Sequence, residues 1–181
     1  MRTARDRGMI VRMSDTLSPT SPVDTGKVAG RRILRFESID QMLAEVDRLA
    51  EAERAGRLKR LGNWTLGQAL GHLAVWAEYG YTGPPLKTPF FIRWLLRLRK
   101  QRFLHQPMPA GVKIPGVKGG TLATEAMPLD EAQQRLRRVM ERLKAAPPVI
   151  PHNLFGRLTH DEWMAMHLRH AELHLGFFVP A

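Results

Sequence analysis

Apolar residues recur along much of this chain at three- and four-residue steps, the spacing that lines up one face of an α-helix. Ile39, Met42, Leu43, Val46 and Leu49 form the first such stripe, behind Ser38 as cap and opposite Glu45, Asp47, Arg48 and Glu51. That helix should fade around Gly56. Leu66, Leu70, Leu73 and Ala77 form a second stripe over Leu66 to Tyr81, opened by Thr65 and Gln68 at capping-box spacing. Phe90, Phe91, Trp94, Leu95 and Leu98 predict a short amphipathic helix whose other side carries Arg93, Arg97, Arg99, Lys100 and Arg102. Leu129, Ala132, Leu136, Val139 and Leu143 trace a further long helix, starting near Pro128 and Asp130 and ended by Pro147-Pro148, with Arg135, Arg137, Arg138 and Arg142 read as solvent-exposed. Thr159 and Glu162 make another capping-box pair, and no proline or glycine interrupts the run behind them until Gly176.

Between these stretches lie breakers. Ser18-Pro19-Thr20-Ser21-Pro22 is a loop signal inside a segment, Met1 to Gly30, with little apolar periodicity. It reads as a mobile arm, and Met9 and Met13 offer later starts. Arg31 to Phe36 suits a short extended piece with little to pair with. Arg54, Arg57, Lys59 and Arg60 read as a solvated, basic helix end and loop. Gly83-Pro84-Pro85 ends the second helix, and Gln106 to Gly120 is rich in proline and glycine, a long loop of the kind that often carries function. The expected fold is all-α: a four-helix bundle with short first-to-second and third-to-fourth links and a long middle crossover holding a short extra helix. Residues 1–35 are assigned to the arm and 36–181 to the domain.

The second helix is apolar nearly all round, since Gly67, Gly71, Ala74 and Val75 lie opposite its stripe and only Glu78 there is strongly polar. Such a helix is buried. Yet Thr65, Gln68, His72 and Tyr79 share one edge, with Trp76 alongside. A buried polar edge needs hydrogen bonds, ordered water or a ligand.

Composition narrows the chemistry. The 181 residues are 44% hydrophobic and 25% charged, which fits one globular domain with a tail. Cysteine is absent, so disulfides and thiolate metal ligands are excluded, and any thiol must come from outside. The net charge of +11 raises nucleic acid, an anionic surface or acidic substrates as partners. Arginine is spread along the chain, and nucleic acid is not favoured. The basic side of the Phe90–Leu98 helix reads first as solvated lid surface, and second as a recruiter of an anionic substrate or acidic partner. No segment is apolar for long enough to span a membrane and no secretory signal is visible, so a cytoplasmic location with no membrane partner is expected.

Four of the seven histidines, His160, His167, His170 and His174, fall in the last helix, within a sector of roughly 80° at about 100° per residue. His170 and His174 sit one turn apart, and two neutral imidazoles at that spacing can hold one transition-metal ion. His72, on the polar edge of the buried second helix, is the natural third ligand. The zincin pattern is missing, because Glu172 is placed to face away from His174, and metalloprotease chemistry is disfavoured. Neither a nucleophile elbow nor a phosphate-binding glycine loop is present.

Gly62-Asn63-Trp64-Thr65-Leu66-Gly67-Gln68-Ala69-Leu70-Gly71-His72-Leu73-Ala74 resembles the second-helix motif of the DinB/YfiT-like superfamily, and His170-Ala171-Glu172-Leu173-His174 its last-helix motif. His152-Asn153-Leu154-Phe155-Gly156-Arg157-Leu158-Thr159, followed by Glu162-Trp163, resembles an uncharacterised branch. The resemblance spans about residues 36–178. It implies an up-down-down-up four-helix fold, His72, His170 and His174 as ligands of a divalent zinc, nickel or iron ion, and activities such as thiol-dependent transfer or isomerisation. Asn153, Leu173 and Gly176-Phe177 depart from the usual residues, which bears on substrate and thiol rather than on the ligands.

The leading functional expectation is therefore a metal-dependent transferase or hydrolase acting on a small molecule, using an exogenous low-molecular-weight thiol. Gln68 would orient the site, and His167, His160 and His152 would line it, with a plain place on the helix surface as the alternative for His167 and His160. The alternative is a non-catalytic, metal-binding or structural bundle that docks a partner through its basic helix. A homodimer is compatible with either.

Overall fold

Ser38, Thr65 and Thr159 each cap a helix, as their spacing predicts. In the computed structural model, which describes residues 22–86, 88–117 and 119–181, the elements run α1 (Ile39–Arg54), β1 (Leu58–Arg60), α2 (Leu66–Thr82), α3 (Phe90–Leu98), α4 (Lys100–His105), α5 (Leu129–Ala145), α6 (His160–Leu175) and β2 (Phe178–Pro180). The Ser38 side chain accepts from the Gln41 N–H, and Thr65–Gln68 and Thr159–Glu162 both close full capping boxes. Each satisfies donors that a helix start otherwise leaves unpaired. The architecture is mostly helical. Residues 1–21, most of the expected arm, lie outside the described residues. Its remainder touches the domain: Val23 exchanges backbone hydrogen bonds with the Asn63 side chain, and Arg32 pairs with Glu45 at 2.6 Å.

The four long helices α1, α2, α5 and α6 enclose one core, with Met42, Leu49, Leu70, Leu136, Met140 and Leu175 fully buried within it. α2 lies along α5. The approach is possible because Gly67 and Gly71 present no side chain there: a Cβ at Gly67 would collide with the Met127 carbonyl oxygen, and one at Gly71 would press on the Met127 side chain. Ion pairs run along the outside. Arg135 forms two bonds to Glu78, Arg137 reaches Asp47 at 2.7 Å, and Arg142 lies over the Tyr81 ring. The α5 arginines expected to be merely solvated thus stitch α5 to its neighbours, although exposed pairs add little stability each.

Arg57 and Lys59 are exposed, as expected, but Leu58–Arg60 is a strand rather than a loop. Leu58 is buried, and Leu58–Arg60 pairs antiparallel with Phe178–Pro180, in the register Leu58 with Pro180 and Arg60 with Phe178. The expected extended piece, Arg31 to Phe36, forms no strand but does find partners. Arg32 N–H donates to the Gly176 carbonyl. At Phe36, Glu172 accepts the backbone N–H at 2.6 Å and Arg169 donates to the carbonyl. Arg169 and Glu172 are themselves paired at 2.7 Å, both buried. Burial pushes the Glu172 carboxyl up, and the Phe36 N–H pulls it back. Glu172 does face away from the histidines, as its place on the helix requires.

Lower in the core, Trp163 is flanked by two further imidazoles. His167 stacks on it with ring centroids 5.9 Å apart, and His152 meets its edge at 5.3 Å. Desolvation holds His167 down to about 3 and His152 to about 4. Both are therefore neutral at pH 7.

Two outcomes follow from this packing. Gly67→Ala should lower unfolding stability in urea by about 1–3 kcal/mol, because the new Cβ meets backbone rather than a flexible side chain. The second concerns acid. His167 titrates below its unfolded value near 6.5, so its contribution is intact above pH 6.5 and is lost as pH falls toward 3. In chelator-treated protein, His167→Phe should shrink the stability drop between pH 7 and pH 5 by about 2 kcal/mol, measured by urea unfolding at both pH values.

Candidate metal centre

α2 and α6 cross so that the polar edge of one meets the histidine face of the other. His72 Nε2 lies 3.2 Å from His170 Nε2, and His170 Nε2 lies 3.0 Å from His174 Nε2. One nitrogen from each ring falls within 4.8 Å of the other two. His72 is buried, while His170 and His174 are partly exposed. His170 and His174 come from successive turns of α6, whose capping box and unbroken run keep the helix regular enough to hold both rings on one side. His72 comes from the middle of α2, where Gly71 and Leu73 on either side of it in the sequence are buried as well.

The orientation of His72 is fixed from behind. Its Nδ1 bonds to the Leu122 carbonyl at 3.0 Å. A carbonyl can only accept, so Nδ1 carries the proton and Nε2 presents its lone pair to the other two rings. Metal-ligating histidines are commonly held by this kind of outer hydrogen bond. Leu122 belongs to the strap that precedes α5. Gln68 Nε2 donates to the Thr124 carbonyl of the same strap at 3.2 Å, while Gln68 Oε1 completes the α2 cap. Between the two anchors, Ala123 holds φ at 57°, a left-handed conformation uncommon outside glycine.

Aromatic rings wall the cluster. Trp64 stacks on His174 with centroids 5.2 Å apart and planes 13° from parallel, and it tilts against His72 at 4.8 Å. Trp76 meets the edge of His170 at 5.9 Å, and its buried Nε1 has no hydrogen-bond partner. Burial lowers all three imidazoles. His72 is held at about 4, pulled up slightly by the Leu122 and Ala123 backbone. Desolvation holds His170 and His174 well below the usual imidazole value, followed at His170 by the charges of His174, His72 and His167, and at His174 by those of His72 and Arg31. Neutral imidazoles with free lone pairs, gathered between aromatic rings, are what a borderline-soft divalent ion requires. The donor set fits such an ion.

The other histidines expected near the site have different partners. His160 Nε2 bonds the Leu143 carbonyl of α5 at 2.5 Å, and so lies outside the cluster. His152 Nδ1 accepts from the Leu154 and Phe155 N–H groups, and its ring stacks on Phe155. His167 is held against Trp163, one turn of α6 before His170. Its Nε2 is buried without a partner. Only His72, His170 and His174 come together among the described residues. Two contributors had no role read from the sequence. Trp64 stands in the motif that opens α2, but nothing local shows that its ring reaches His174, and the Leu122 carbonyl is a backbone group that any residue would supply.

No curated protein and no solved structure matched the chain. A family model did, over residues 28–181, from just before the extended piece that Glu172 and Arg169 hold to the end of β2. The chain belongs to the family described as Protein of unknown function (DUF1569).

Proposed function

We propose that His72, His170 and His174 hold one divalent metal ion, and that the protein uses it as a metal-dependent transferase or hydrolase on a small molecule. The observation that carries this reading is the convergence of three imidazole nitrogens within 4.8 Å, one of them locked into its lone-pair-outward tautomer by the Leu122 carbonyl. A three-histidine set leaves coordination positions open, as catalytic sites do, whereas structural sites close all four. An ion there would supply a Lewis acid that lowers the pKa of water or of a thiol. With no cysteine in the chain, a thiol would be exogenous and of low molecular weight.

The chain's own residues prepare the site. His72 is oriented by Leu122, and Gln68 pins the strap that carries that carbonyl. Trp64 and Trp76 cover parts of the His174 and His170 rings, and burial keeps the imidazoles neutral. The unpartnered Trp76 Nε1 is a donor available to an oxygen of a bound substrate. The two motifs and the shared core of α1, α2, α5 and α6 support the finer reading of a DinB/YfiT-like, up-down-down-up four-helix bundle, in which zinc, nickel and iron are the candidate ions.

Metal content is the first test. Elemental analysis of purified protein should find about one divalent ion per chain, and a His72→Ala/His170→Ala/His174→Ala variant should carry close to none. Equal content in the two would end the reading. Turnover comes second. With metal bound, the protein should speed consumption of an electrophile by one of a panel of small thiols, or by water, and chelation should reduce that rate at least about tenfold. Metal without any turnover would leave a binding protein and remove the enzyme.

A further inference from the structure

Among the described residues, most of the large apolar side chains that the core leaves exposed lie on the outer face of α3. Phe90, Phe91, Trp94, Leu95 and Leu98 are exposed, Phe90 to 82% and Trp94 to 64%, and no residue of this helix is buried. At about 100° per residue they occupy a sector of roughly 140°. Leu96 points the other way, packs against the core and fixes the helix to the body. Large exposed apolar patches of this kind mark docking or membrane surfaces.

Charge decides between the candidate occupants. From Phe90 to His105 the sequence has Arg93, Arg97, Arg99, Lys100 and Arg102 and no acidic residue. Lys100 is taken by Glu162, but the four arginines have no ion-pair partner among the described residues. A second copy of the chain, also at +11, would set these arginines against their own kind. A bilayer with anionic headgroups meets both features at once. Phenylalanine, tryptophan and leucine enter the acyl boundary, while arginines beside them remain at headgroup level. The side chains of the exposed face carry no hydrogen-bonding group apart from the Trp94 indole N–H, which a fluid interface accepts without matching its shape. No described helix is long and apolar enough to cross a membrane, and lying on one does not require it.

We infer that α3 and the arginines around it form a docking surface for anionic phospholipid membranes. The inference stands apart from the metal reading, because it uses none of the site residues. It revises the expectation, drawn from the lack of a spanning segment, that membranes play no part.

The test is sedimentation of the full chain with vesicles at about 0.15 M salt. Binding to phosphatidylcholine vesicles containing phosphatidylglycerol should exceed binding to pure phosphatidylcholine at least about tenfold. It should fall by a similar factor in Trp94→Ser/Leu98→Ser and in Arg99→Glu/Arg102→Glu, all at exposed positions, with thermal melting unchanged. Brominated acyl chains should quench tryptophan emission in the wild type, and much less in Trp94→Phe, which keeps the apolar face. Four results would overturn the inference: no binding to anionic vesicles, binding that survives loss of Trp94 and Leu98, quenching unchanged in Trp94→Phe, or a Trp94-dependent dimer formed without lipid.

Discussion

Where His72 points depends on how near α2 can come to the chain that leads into α5. Gly67 sets that distance, since its bare backbone lies against the Met127 carbonyl. The strap ahead of Met127 is thereby drawn onto the polar edge of α2. There its Leu122 carbonyl accepts a hydrogen bond from His72 Nδ1 and its Thr124 carbonyl accepts one from the Gln68 amide. A side chain at residue 67 would move the strap, and the tautomer of His72 would lose its anchor. Close packing and imidazole chemistry are therefore one constraint at this place. The same strap carries the left-handed Ala123, a local cost that the bonds on either side of it offset.

α6 performs two tasks on two faces. One face carries His170 and His174 to the cluster, with His167 against Trp163 a turn before them. The other carries Arg169 and Glu172, which together bind the N–H and the carbonyl of Phe36. This buried pair imitates the partner that a neighbouring strand would give an extended segment. Each charge satisfies the other, and both satisfy a backbone that would otherwise be buried unpaired. The entry to α1 is consequently fastened to the same helix that presents two of the three site imidazoles.

The helices were legible because their signals are local. Ser38, Thr65 and Thr159 announce starts, and the apolar steps behind them fix the buried faces. The three site histidines were legible for a related reason: His170 and His174 share a helix face, and His72 is polar on a helix with almost no room for polarity. Long-range pairing was not. Leu58–Arg60 and Phe178–Pro180 are too short to show a two-residue period, and neither reveals its partner more than a hundred residues away. His160 looked like a member of the site stripe because helix angles say nothing of what stands opposite, and what stands opposite is the Leu143 carbonyl. The arginines of α5 looked solvated because Glu78 and Asp47 lie on other helices. Composition gave the basic character of α3, but not that its aromatic face would stay uncovered.

The small ladder also has a mechanical meaning. β1 follows α1 and leads into α2, and β2 continues directly from α6, so their backbone bonds lace together the ends of the two helices that bear the imidazoles. The lacing is reinforced by the Leu61 N–H on the Phe177 carbonyl, close to Trp64. Two helices in simple side-by-side contact can slide along each other, and a slip of one residue, about 1.5 Å, would scatter three converging nitrogens. Tied at one end, the pair loses that sliding freedom and keeps only a scissor-like rotation about the tie. Because His174 sits next to the pivot and His170 one turn farther out, such a rotation would widen the cup at His170 first.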